Sequence, residues 1–268
     1  MKKVLIAGGC LIAGGILVMA VLILNFGPVI KTAVNFFGPE VIHTGVGVED
    51  VDASIFSARA RLTNFFVANP DGFTSPRAMQ VKSVRLDVDG SSLMSDTIVI
   101  DLIEVDSPEI NYEIKGGTDN FREIMKRIKA SVTSPENIPQ EKTNVDKKGR
   151  NLLVRHFILK DGRVNLAVSM LQGKVVSTSL PEISLRNIGE GQGGASPEAV
   201  LTQIFDVIYG NLTSPELTAE FASQLKALGV AFDGRNIKDR IRQSRGDLEG
   251  VKSELKDMGG RIKGIFQR

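Results

Sequence analysis

The stretch IVIDLIEVDSPEINYEIK, residues 98–115, decides the fold. Residues 98–105 are almost continuously apolar, as in a central strand covered on both faces. After Ser107 and Pro108 the pattern changes, and Ile110, Tyr112 and Ile114 alternate with Glu109, Asn111, Glu113 and Lys115. That is one dry face and one wet face.

Working outward, the neighbours read as strands too. Val84, Leu86 and Val88 alternate with Arg85, Asp87 and Asp89. Phe56, Ala58, Ala60 and Leu62 alternate with Ser57, Arg59, Arg61 and Thr63, until the phase slips at Asn64 in favour of Phe65 and Val67. A bulge or a two-sided strand accounts for such a slip. Asn69-Pro70-Asp71-Gly72 is a turn. Downstream, residues 152–159 form a strand, Lys160-Asp161-Gly162 reads as a hairpin turn, and Val164, Leu166 and Val168 lead back. Strands at 174–180 and 182–186 follow. One helix interrupts the sheet: Phe121, Ile124, Met125 and Ile128 fall at i, i+3, i+4 and i+7 behind Thr118 or Asp119 as N-cap. Its other face carries Arg122, Lys126, Arg127 and Lys129, a solvated face or a contact for anionic headgroups.

Residues 4–24 are uncharged and mostly aliphatic, and follow Lys2 and Lys3. About 20 such residues span a bilayer as a helix, so a single-pass anchor over residues 1–34 is the expectation. A signal peptide cleaved after Ala20 is the competing reading. Gly189-Glu190-Gly191-Gln192-Gly193-Gly194 reads as a linker (189–195) that closes a β-rich domain at 35–188. Beyond it, residues 196–268 read as helical. Ser196-Pro197-Glu198 and Ser214-Pro215-Glu216 each open a helix. Ile237, Ile241, Ser244, Leu248, Val251, Leu255, Met258, Ile262 and Ile265 then form a heptad stripe, broken by Ser244, suited to docking a protein partner or a second copy.

Composition narrows the function. The net charge of +2 comes from interspersed charges, which excludes a basic field for nucleic acid. Cys10, the one cysteine, lies in the apolar run, so a downstream domain holds no disulfide. There is no tryptophan, and 13 phenylalanines accompany two tyrosines, Tyr112 and Tyr209. His43 and His156 have no metal-ligand spacing, and no phosphate-binding loop, nucleophile elbow or Cys-His pair occurs. The expectation is a non-enzymatic protein without cofactor or metal.

The stretch 38–121 resembles the amino-terminal unit of the AsmA-like family of bacterial envelope proteins. The matching residues are Thr44-Gly45-Val46-Gly47-Val48, Val67-Ala68-Asn69-Pro70-Asp71-Gly72-Phe73, Ser91-Ser92-Leu93-Met94-Ser95, the run 98–113, and Gly116 to Phe121. Residues 157–164 fit the family's next hairpin more loosely. The Asn69-Pro70 strand is also similar to the β-sandwich of late-embryogenesis-type proteins. The family resemblance implies attachment to the inner membrane, a periplasmic domain, and a part in envelope lipid homeostasis or phospholipid transport. The chain is shorter than the long, grooved members of that family.

The expected fold is therefore α+β: an N-terminal transmembrane helix, a curved and mainly antiparallel sheet with one packed helix, and a C-terminal helical arm. Ile110, Tyr112 and Ile114 are the expected lipid-facing residues. The alternative is a structural subunit that docks through the stripe at 237–265.

Overall fold

The computed structural model describes residues 26–115, 117–133, 150–168, 175–191 and 193–228. Its elements are α1 (Phe26–Ile42), β1 (Val46–Gly47), β2 (Asp50–Ser54), β3 (Arg59–Ala68), β4 (Arg77–Val88), a 3-10 turn (Gly90–Met94), β5 (Thr97–Lys115), β6 (Thr118–Asp119), α2 (Asn120–Thr133), β7 (Asn151–Lys160), β8 (Gly162–Val168), β9 (Val176–Leu180), β10 (Ile183–Ile188), α3 (Pro197–Leu212) and α4 (Pro215–Ala227). All ten strands join one sheet, whose main path runs β1-β3-β4-β5-β7-β10. The 19-residue β5 is its spine.

Most pairs are antiparallel, but β5 pairs in parallel with β7 and with β8. The chain leaves β5 through β6 and α2 and returns alongside it, the crossover that parallel pairing requires. This corrects the reading of Lys160-Asp161-Gly162 as a hairpin turn. Asp106 pairs with Lys160 and Glu109 with Arg163, one unchanged register on either side of Asp161. β7 and β8 are two halves of one strand.

Asp161 takes φ 54°, and so do Ser107 (51°) and Asn64 (52°) in the left-handed region. Their positions explain the phase slip seen in sequence. Thr63 pairs with Ser83 and Phe65 with Val81, which puts Asn64 opposite Lys82. In the same way Lys82 lies opposite Ser107, Ser107 opposite Asp161, and Asp161 opposite Pro181. Across this line the inward positions step by three residues rather than two: Leu62 to Phe65, Val81 to Val84, Val105 to Pro108, Leu159 to Gly162, Leu180 to Ile183. The paired segments that cross this line carry the same extra residue at the same level, so pairing survives and one crease bends the sheet.

Helices cover one face. Phe121, Ile124, Met125 and Ile128 of α2 are all buried, as their spacing predicts, and α2 packs on β5 and α3. Asp119 is the cap: its Oδ1 accepts the Arg122 amide at 2.8 Å. α3 adds Val200, Ile204, Phe205, Ile208 and Tyr209, and packs on β7 and β10. The opposite face is polar, and its charged side chains pair across strands, as in Arg85–Glu104 (3.7 Å) and Lys160–Glu104 (3.3 Å).

The chain divides into two compact units, the first ending at Leu212. The Gly-rich stretch lies inside the first and is stitched to the sheet. Ala195 bridges Leu152, and the Gly193 carbonyl accepts from Thr97 Oγ1 and Asn151 Nδ2. At Gly194 (φ 85°) a Cβ would come within 2.8 Å of the Thr97 side chain, so the close approach itself requires glycine. Of the second unit, α4 is described. Ser214 Oγ accepts the Leu217 amide at 3.2 Å, and Leu217, Phe221 and Leu225 line one buried face.

The expected architecture is corrected at two further points. Among the described residues no helix is long and apolar enough to cross a membrane, so the expected transmembrane helix is not supported. The residues read as that helix, 4–24, lie outside the described ones, and so does the coiled-coil-like stripe from Ile237 to Ile265. Among the described residues of the first unit three helices, not one, accompany the sheet. α1 had no counterpart in the sequence reading, because its apolar residues do not sort into one buried face.

Candidate functional site

Of the residues expected to face lipid, Ile110 and Tyr112 are buried beneath the helices and Ile114 is half-buried. The Tyr112 ring lies 6.4 Å from that of Phe121, which lies 6.3 Å from that of Phe205. This face of the sheet is therefore filled by protein: it forms the core.

At the centre of that core is a polar bracket. Asp119, buried at the start of α2, receives the Tyr209 hydroxyl at Oδ2, 2.8 Å away, and its charge also acts on the buried Tyr112 phenol. Both tyrosines of the chain thus meet one carboxylate. Burial pushes the Asp119 carboxyl above its ordinary pKa, against the opposing pull of the Arg122 amide and the Tyr209 hydroxyl. Burial also drives the Tyr112 phenol well above its usual value, and the nearby Asp119 charge adds to this. The bracket ties α3 to α2 and β5 and has no open side for a substrate.

A second buried carboxylate, Glu113, holds the loop after β3. It accepts the Thr74 amide at 2.7 and 2.9 Å and the Ser75 amide at 2.9 Å. Burial acts to raise its pKa, but the Ser75 and Thr74 amides outweigh it and hold the carboxyl below the usual range. Asn69 and Asn120 extend the network: Asn120 Nδ2 donates to Asn69 Oδ1 and to the Asn111 carbonyl, each at 2.7 Å. The Asn-Pro turn therefore serves as a structural staple.

The histidines lie apart. His156 Nε2 sits 3.0 Å from Ser184 Oγ on the polar face, and His43 follows α1. Among the described residues no three His, Cys, Asp or Glu side chains could share a metal ion. On the basic face of α2, Lys129 pairs with Asp206 at 3.0 Å and Arg127 Nη1 donates to the His43 carbonyl at 2.7 Å. These two cations are occupied by protein partners.

The exposed apolar surface is on α1 instead. Val29, Thr32, Ala33, Phe36 and Phe37 recur at i, i+3, i+4, i+7 and i+8 and, with Pro28, line a shallow groove of about 440 Å³. Phe36 and Phe37 are 64% and 56% exposed, with ring centroids 5.0 Å apart at 86°. Thr32 does not break the stripe, because its hydroxyl is spent on the Pro28 carbonyl at 2.9 Å. The opposite side of α1 fixes it to the sheet edge. A Cβ at Gly27 would collide with the Val51 carbonyl oxygen, one at Gly38 would fall 2.8 Å from the Val46 side chain, and Asn35 Oδ1 accepts the Val48 amide at 2.8 Å. The stripe is thus held facing outward by backbone-close packing. In sequence the signal was present as the i, i+3, i+4 spacing, but nothing in it distinguishes an outward stripe from a core-facing one.

The model of the AsmA family matches residues 51–244 of this chain. No curated protein and no solved structure matches it.

Proposed function

The chain belongs to the AsmA family, and from that premise we propose that it is a non-enzymatic factor of envelope lipid homeostasis that holds phospholipid acyl chains against α1. Membership ties it to an envelope lipid-related function. The finer reading rests on one observation: the apolar stripe Val29–Ala33–Phe36–Phe37 is turned outward while the apolar face of the sheet is filled. Contiguous exposed apolar surface of this kind marks an interaction site. Fully burying a phenylalanine is worth about 1.5–3 kcal/mol. Phe36 and Phe37 together therefore suffice for weak, reversible contact with an acyl chain, as a carrier needs.

In this reading the domain faces the periplasm at the inner membrane. Lipid is its partner, and the sheet serves as a rigid support that presents α1. Native mass spectrometry of the full chain, extracted in mild detergent, tests it. Wild type should carry phospholipid adducts, and Phe36→Asp combined with Phe37→Asp should lose most of them with an unchanged circular dichroism spectrum. Equal lipid occupancy in the folded double variant would overturn the assignment to α1.

A further inference from the structure

The lipid-handling reading leaves open which part of the domain meets the bilayer, and we infer that it is the end of the sheet formed by the β2–β3 hairpin and the β4–β5 connection, acting on anionic phospholipid. This inference rests on that reading. Three independent observations converge on the same end.

The first is exposed apolar side chains at its tips. Phe56, expected within a strand, sits instead at the turn of the β2–β3 hairpin and is 86% exposed, next to the exposed Ile55. Met94, which ends the 3-10 turn after β4, is 91% exposed. The two tips are neighbours in the fold: Ala58 accepts the Val88 amide at 2.9 Å, and a Cβ on Gly90 would lie 3.5 Å from that of Ala58.

The second is charge directly behind the hairpin. Arg59, Arg61 and Arg85, with Ser54 and Ser57, line a polar depression of about 460 Å³ whose carboxylates are Asp52 and Asp87. Arg59 and Arg85 share Asp87 at 3.7 and 3.8 Å, beyond hydrogen-bond length. The buried Arg85 Nε and Asp87 Oδ1 have no hydrogen-bond partner among the described residues. Arg61 lies directly opposite Arg85 across β3 and β4 and opposite Asp52 across β2 and β3, so three arginines meet two carboxylates in the lining of the depression. Guanidinium groups suit phosphate oxygens through paired N–H donors.

The third is the direction of α1. Gly27 of α1 packs on Val51 and Gly38 on Val46, while β2 runs from Asp50 toward the hairpin tip. The first turn of α1 therefore points toward the end that carries Phe56. A phosphate at the arginines with apolar tips beside it fits a phospholipid surface better than a free anion. From this end α1 rises away from the lipid, so its stripe continues the bilayer's apolar surface along the domain.

The absence of tryptophan makes the test clean. Full-length Phe56→Trp is bound to vesicles of phosphatidylcholine and phosphatidylglycerol whose acyl chains are brominated. Its emission should shift to the blue and lose about half its intensity, as expected for an indole at the headgroup boundary. Val175→Trp, exposed beside β9 at the other end of the sheet, should stay unquenched. Arg61→Gln added to Phe56→Trp should weaken the quenching on phosphatidylglycerol vesicles, and unchanged quenching there would overturn the role of the arginines. An unquenched Phe56→Trp beside a quenched Phe36→Trp would overturn this inference and leave the α1 reading standing. Failure of the full chain to sediment with vesicles would overturn both.

Discussion

Tyr209→Phe removes a single oxygen and should loosen α3. The Tyr209 hydroxyl donates to Asp119 Oδ2 at 2.8 Å, and both residues are buried. A hydrogen bond to a charged group contributes about 1.5–3 kcal/mol net. The phenyl ring of the variant would stay buried, and Asp119 would keep the Arg122 amide, so the loss should be near the middle of that range, about 2 kcal/mol. The sign of its pH dependence follows from Asp119. Burial raises that carboxyl above its ordinary 3.8, so its charge costs folding stability at pH values above the folded pKa. Loss of the tyrosine donor raises the folded pKa further and enlarges that cost. The deficit of the variant should therefore be largest at neutral pH and shrink as pH falls toward the ordinary aspartate value. Hydrogen exchange of the α3 amides reads it directly, since about 2 kcal/mol is roughly a thirtyfold loss of protection. Asp119→Ala, which also removes the cap of α2, should cost more than Asp119→Asn. Wild-type protection in Tyr209→Phe at neutral pH would refute the bracket as the tie between α3 and α2.

Two further outcomes follow from the same physics. Glu113 has a depressed folded pKa, so its contribution is complete above the ordinary value of 4.5 and is lost as pH falls through the folded value; the 69–76 loop should become protease-sensitive in acid before the sheet unfolds, and Glu113→Gln should show that sensitivity at neutral pH. Asp161→Val should cost about 1–2 kcal/mol, measured by urea unfolding, because a β-branched residue is forced to φ 54°, whereas Asp161→Gly should be neutral or stabilising.

The sequence made some of this legible and concealed the rest for physical reasons. The spacing of Phe121, Ile124, Met125 and Ile128 identified α2, because all four serve one buried face. The Ser-Pro-Glu starts located α3 and α4. The slip at Asn64 was visible as a broken alternation, but its partners Ser107 and Asp161 are far away in the chain, and Asp-Gly reads locally as a turn even when the strand continues through it. Tyr209 and Asp119 are 90 residues apart, so no local pattern joins them. Ile110 and Tyr112 were correctly read as one dry face, yet alternation reports dryness without saying whether helix or lipid supplies it. Phe56 continued an alternating run by chance and proved to be a hairpin tip.

The most direct test of lipid handling at α1 is cross-linking by a phospholipid that carries a photoreactive group in its acyl chain. The full chain would be illuminated with that lipid in mild detergent, digested, and the labelled peptides sequenced. Label on the peptide that contains Val29, Phe36 and Phe37 is the expected result. Label on Ile110 and Tyr112 instead would mean that the helices open and the sheet itself is the lipid surface, contradicting the account.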